Sequence, residues 1–187
     1  PFPYTLAVLE SGLLAQFQFH GIGVAAHPDG HPMADRATLI QALGIKREYA
    51  RTTSTRLWVV TQFTFDANVV IDWLQSLGDI LEEVPVYIGM AGPTRGKTLI
   101  GYAAQCGMGA SARLMLRRPG SAKLLRAWTP DGMVRALVQY CLDNPDTLLR
   151  GIHLFPFGGL RQSAQWIQEH SGSVEGQRGQ FHESSVQ

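Results

Sequence analysis

His27, Asp29 and His31 fall in one short loop sequence, His27-Pro28-Asp29-Gly30-His31-Pro32, directly after the apolar run Gly23-Val24-Ala25-Ala26. Metal ligation is one use for two imidazoles and a carboxylate at this spacing. It needs three or four converging ligands, and a proline-containing loop does not enforce convergence as a helix would. The preferred reading is a structural loop in which a histidine donates to an anionic cofactor, with no metal.

A second group, Gln62, ends the run Leu57-Trp58-Val59-Val60-Thr61. A carboxamide donates and accepts at once, which matches a heterocycle bearing both an amide N–H and a carbonyl. It can equally satisfy a neighbouring loop backbone. A third run, Val84 to Met90, leads into Ala91-Gly92-Pro93-Thr94-Arg95-Gly96-Lys97-Thr98. This has phosphate-loop spacing with alanine in place of the first glycine, between a strand and a helix. Backbone amides there would cradle phosphate and Lys97 would neutralise it. The last apolar run, Ile152 to Phe157, carries no acid to hold magnesium, so an NTPase built on Gly96-Lys97-Thr98 is an alternative beside a plain glycine-rich turn. Tyr102 lies one turn into the following helix, where its ring could reach the strand ends or serve the core. Ser111 and Ser121 lack a nucleophile-elbow pattern. Asp29 and Asp66 are the acids near strand ends, and Asp66 has a simpler use as a helix cap.

These groups need elements to position them. Leu6, Leu9, Leu13 and Phe17 predict a helix over 4–17, followed by a strand at 22–26. A helix over 35–50, a strand over 57–63 and a helix from Asp66 to Gly78 follow. The remainder reads as a strand at 84–90, a helix bearing Leu99, Tyr102, Ala103 and Cys106, and a short helix at 110–117. Thr129-Pro130-Asp131 then starts a helix that ends at Asn144-Pro145. A strand at 152–156 and a helix at 160–170 complete the pattern. Strands alternating with helices imply parallel pairing with right-handed crossovers, and such sheets bind ligands at their strands' carboxyl ends. His27, Gln62, the 89–93 loop and Phe157 all fall there. Residues 1–171 read as one domain and 172–187 as a disordered tail.

The 187 residues are 45% hydrophobic and 17% charged, with a net charge of +1. That is a globular composition without the basic footprint of a nucleic-acid binder. Arg117, Arg118, Lys123 and Arg126 read as a solvated helix end. Cys106 and Cys141 read as free buried thiols in a reducing compartment. No run approaches the roughly 18 apolar residues of a membrane helix, and a cytoplasmic setting is expected. The helical pattern begins almost at Pro1, which suggests further residues upstream.

Three blocks together resemble the methylenetetrahydrofolate reductase family: Val24 to Pro32, Val60 to Asp66, and Pro85 to Pro93. Gly151-Ile152-His153-Leu154-Phe155-Pro156-Phe157 is similar to its closing strand. The likeness covers residues 5 to 170 in family order. It implies a (β/α)8 TIM-type barrel of which this chain holds the last four β/α units. It also implies FAD at the strand ends, passing hydride from NAD(P)H to 5,10-methylenetetrahydrofolate. Position by position, it implies flavin contacts from His27, His31 and Ala34 and an approach of Lys46 to the FAD phosphates. His27 stands where many relatives carry tyrosine. Gln62 would bind the pterin and act in catalysis, while Tyr102 and Phe157 would line the folate side. The family's glutamate general acid and an aspartate facing the flavin would precede this sequence. Homo-oligomerisation, or a chain supplying the first half-barrel, is therefore expected. A non-catalytic folate- or flavin-binding fragment is the alternative.

Overall fold

The computed structural model of the chain describes residues 4–17, 19–105 and 128–181. Cys106, Ser111, Ser121, the basic cluster Arg117, Arg118, Lys123 and Arg126, and the helix expected at 110–117 lie outside those residues. Strands and helices alternate in the order α1 (Thr5–Glu10), β1 (Ile22–Ala26), α2 (Arg36–Thr52), β2 (Leu57–Thr61), α3 (Ala67–Ser76), β3 (Val86–Ala91), α4 (Gly96–Gln105), α5 (Asp131–Asp143), β4 (Leu149–Phe155) and α6 (Leu160–Phe181).

All four strands pair in parallel, in the sequential order β1-β2-β3-β4. A doubly wound sheet reverses its order partway, whereas an unbroken order follows when every crossover steps in the same direction along the sheet. The fold is thus α/β with a four-stranded parallel sheet, compatible with part of a TIM-type barrel.

Local chemistry sets several boundaries. Asp35 accepts the Thr38 N–H at 2.7 Å and Asp66 accepts the Asn68 N–H at 3.0 Å, so both helix starts are capped. The expected 4–17 helix is divided: α1 ends at Glu10, Gly12 takes φ 70°, and Leu13–Gln16 is a 3-10 turn. A left-handed residue closes an α-helix, and glycine adopts it without steric cost. At α5 the capping position is Pro130, not Thr129, with no side-chain cap bond. α6 runs to Phe181, past the expected end at 170 and into the stretch read as a tail.

The two faces of the sheet differ. Val24, Val59, Val86, Ile88 and Met90 are buried against Leu43 of α2, Val70, Trp73 and Leu74 of α3, and Met133 and Leu137 of α5. The alternate positions tell another story. Gly23, Ala25 and His153 are exposed, and Trp58, Val60 and Tyr87 are half-buried. On this second face the Trp58 indole leans over β1, where a Cβ on Gly23 would sit 2.6 Å from its Nε1. Among the described residues, β1 and β4 each pair on one side only. A second, smaller core of Phe63, Ala91, Leu99, Ala103 and Trp128 sits at the carboxyl ends under α4.

Candidate functional site

A cavity of about 320 Å³ opens on the less covered face at the carboxyl ends of β1, β2 and β4, lined by Gly23, Ala25, His27, Val60, Gln62, His153 and Phe155. Parallel pairing brings these groups together. Ala26 is level with Thr61 across β1 and β2, so the residues that follow each strand, His27 and Gln62, emerge side by side. The backbone agrees, because the Gln62 N–H donates to the Ala26 carbonyl at 2.7 Å.

His27 is half-buried, and its ring meets His31 edge to face with centroids 5.0 Å apart. Burial, then the nearby His31 and Lys46, push its pKa below the ordinary imidazole value. His27 is therefore neutral at neutral pH, able to donate from one nitrogen and accept at the other. On the exposed His31, Nδ1 accepts the Met33 N–H at 3.2 Å, which leaves Nε2 to carry the proton. Lys46 is half-buried, and burial lowers its pKa. It forms no hydrogen bond or ion pair with any described residue. Ala34 is paired with His31 through an antiparallel backbone bridge.

Asp29 does not join the two imidazoles as a metal ligand. Its carboxyl turns inward, and Oδ2 is buried without a hydrogen-bond partner. Burial raises its pKa, a Thr64 hydrogen bond opposes the rise, and the Asp66 charge adds to it. Among the described residues, no three His, Cys, Asp or Glu groups converge as a metal centre needs.

Gln62 Oε1 accepts the N–H of its neighbour Phe63 at 3.2 Å. The local backbone use and the ligand use thus divide one side chain: the oxygen is engaged, and the NH2 has no partner among the described residues. Phe155 connects this cavity to an aromatic cluster. It stacks on Phe157 at 5.8 Å with 19° between planes and meets His153 edge-on at 4.6 Å. Phe157, at φ 39°, packs against Phe63 at 4.7 Å and against Tyr102 at 4.7 Å. Tyr102 keeps 37% of its surface exposed, so it is not a core residue. His27 and Gln62 accordingly share the cavity, Tyr102 and Phe157 form an adjoining aromatic wall, and Lys46 reaches His27 only through its charge.

His153 and Phe155 are part of the site although their residue types alone do not mark them. The available signal was strand alternation: they are two apart on β4 and level with Gly89 and Ala91. A larger hollow of about 830 Å³ lies away from the strand ends, between α1 and α2, lined mainly by apolar side chains such as Leu6, Ile40, Ile45 and Ile80.

The phosphate-loop segment is used differently. Gly92 N–H donates to the Phe155 carbonyl at 2.8 Å, and Thr94 exchanges backbone bonds of 3.2 and 2.9 Å with Trp128. Two amides that a phosphate cradle requires are therefore spent on carbonyls, and Lys97 is exposed at the start of α4. Cys141 is a half-buried free thiol whose pKa burial raises. No described helix is long and apolar enough to cross a membrane. No protein-family model matches this chain.

Proposed function

We propose that these four β/α units belong to an FAD-dependent methylenetetrahydrofolate reductase, reducing 5,10-methylenetetrahydrofolate to 5-methyltetrahydrofolate with electrons from NAD(P)H. One observation carries the reading: a neutral imidazole, a carboxamide with a free NH2 and a phenylalanine line one cavity at parallel strand ends. FAD, when bound, supplies the two-electron relay between nicotinamide and folate.

The residues present suit that group. A half-buried ammonium is costly until an anion approaches, and Lys46, without a counter-ion among the described residues, offers that charge to the FAD phosphates. His27 and His31 add N–H donors on the same side, and Ala34 follows them in the loop. Gln62 would orient the pterin by donating from Nε2. Releasing Phe63 would free Oε1 to accept as well. Tyr102 and Phe157 offer ring faces to the aromatic part of folate or to nicotinamide.

Hydride transfer depends on holding two planar rings in contact, so position is the protein's main contribution. The resemblance assigns the general acid to a strand outside these four. The reading therefore includes completion of the sheet by further β/α units in a cytoplasmic reductase, from the same polypeptide or a paired chain. The free sides of β1 and β4 and the exposed sheet face favour this. They equally favour a complementing or folate-binding subunit that does not turn over alone.

Absorbance at about 450 nm in the purified protein, from bound oxidised flavin, is the first test. Its absence after incubation of the completed protein, with the further β/α units present, with FAD rejects the reading. Formation of 5-methyltetrahydrofolate then separates the enzyme from the non-catalytic subunit.

A further inference from the structure

We propose that His153 is a second polar anchor for the pterin, bonding the edge of the ring system opposite the one that Gln62 holds. This rests on the reductase reading and adds to it a residue that the resemblance does not assign. Strand alternation is the starting point. Side chains two apart share a face, so His27, Gln62, Gly89 and His153 all belong to the less covered face of the sheet. Register then places them in one row. Ala25 is level with Val60, which sets His27 beside Gln62 two residues further on. Gly89 is level with His153. Gly89 also lies against Gln62, because a Cβ on it would sit 3.0 Å from the Gln62 carbonyl carbon. Across the four strands the row is therefore imidazole, carboxamide, bare glycine, imidazole.

Gly89 is the gap in that row. A Cβ there would run into the Thr61 carbonyl oxygen and would lie 2.9 Å from Phe155 Cε2, so the Phe155 ring leans over the glycine. Gln62 and His153 thus face each other two strand spacings apart, about 9–10 Å, and both line the same cavity. A flat bicyclic heterocycle held at both edges fits such a gap, with Phe155 as its apolar seat. The His153 ring meets Phe155 edge-on at 4.6 Å, but neither ring nitrogen has a hydrogen-bond partner among the described residues. Water reaches both nitrogens while this face is open. Closure into a barrel turns the face inward, where an imidazole without partners is costly. A ligand that accepts from its N–H, or donates to its other nitrogen, removes that cost. A pterin carries ring nitrogens, an amino group and a carbonyl around its rim, so it serves both anchors at once.

The test uses the completed, FAD-loaded protein, with the further β/α units present. Binding of 5-methyltetrahydrofolate, measured by equilibrium dialysis, is expected to weaken about tenfold in His153→Phe, as for the loss of one hydrogen bond in a closed site. His153→Gln keeps a donor and an acceptor and is expected to recover part of the loss. The bound flavin, read at about 450 nm, and the urea midpoint are expected to stay at wild-type values in both variants. Folate binding of wild-type strength in His153→Phe, with Gln62→Ala weakened, overturns the role of His153 and leaves the reductase reading standing. A parallel loss of bound flavin in His153→Phe also overturns it, because the ring then serves the cofactor or the fold. A flavin-loaded wild type that binds no folate overturns the reading and the role of His153 together.

Discussion

Thr61 Oγ1 accepts the buried N–H of Gly89 at 2.8 Å, across the gap where β2 and β3 part. Those strands are paired in register only at Val59–Val86 and Val60–Tyr87. Beyond them a side chain takes over the work of the ladder, and Thr64 N–H returns to the Gly89 carbonyl at 3.3 Å. The divergence sits beside Gln62, so the bond between Thr61 and Gly89 holds the cavity wall. Thr61→Val leaves a buried amide unsatisfied and should cost about 1–3 kcal/mol in urea unfolding. Thr61→Ser should recover most of it, and a full loss in Ser with none in Val would show that the methyl group matters instead.

Gln62→Ala removes one side-chain bond to a local amide, in a half-buried side chain. It should lower stability by no more than about 1 kcal/mol. If Gln62 orients the pterin, folate reduction in the complete enzyme should fall far more, by at least about tenfold. Gln62→Glu keeps the acceptor and loses the NH2, so it should resemble alanine in reduction. Rates and urea midpoints measured on the same preparations separate the two effects. A loss of rate that only tracks unfolding makes Gln62 structural.

Asp29 gives a pH test with a definite sign. Its folded carboxyl titrates above the unfolded one, because burial disfavours the charge. Below the unfolded value of about 4 both states are protonated and there is no penalty. As pH rises past it the unfolded chain ionises first, and stability falls until the folded carboxyl ionises as well. Asp29→Asn removes that cost and keeps a partner for Thr64. The variant should melt higher than wild type at pH 7, with the advantage shrinking as the pH drops toward about 4. A lower melting point at pH 7 would mean that the carboxylate has a donor there.

His27 carries the opposite dependence. Its folded pKa lies below the ordinary value, so protons bind the unfolded chain first as the pH falls through about 6.5. Stability is full above that range and declines below it. His27→Gln should flatten this acid-side decline between about pH 7 and 5 in a series of thermal melts. An unchanged slope would assign the decline to other groups.

The strands were legible because their runs are apolar and sharply bounded, α2 because Leu39, Ile40 and Leu43 recur at helical spacing, and α3 because Asp66 is a good cap. The break at Gly12 was not, because Leu6, Leu9 and Leu13 keep helical spacing across it; the left-handed turn overrides a periodic pattern. At the site, His27 and Gln62 stand out by residue type at strand ends. The inward turn of Asp29 was not legible, because spacing does not say which way a loop side chain points. Phe155 escaped notice because an aromatic in a strand looks like core until the neighbouring strand is known. Partners such as the Phe63 amide, which takes the Gln62 oxygen, depend on three-dimensional register and leave no trace in composition.

The one-sided pairing of β1 and β4 has a consequence for handling this polypeptide. Among the described residues both rims lack a second strand partner, and all four strands run in the same direction, so a second copy that joins one rim through its opposite rim leaves the same kind of rim to be joined next. Growth by such addition is polar, like a filament, and does not stop at a dimer unless the added sheet curves back to meet its start. A short βα peptide would stop growth at one rim only if its own outer edge were blocked, for example by proline, whereas detergent, which has no strand to offer, would leave the rims reactive.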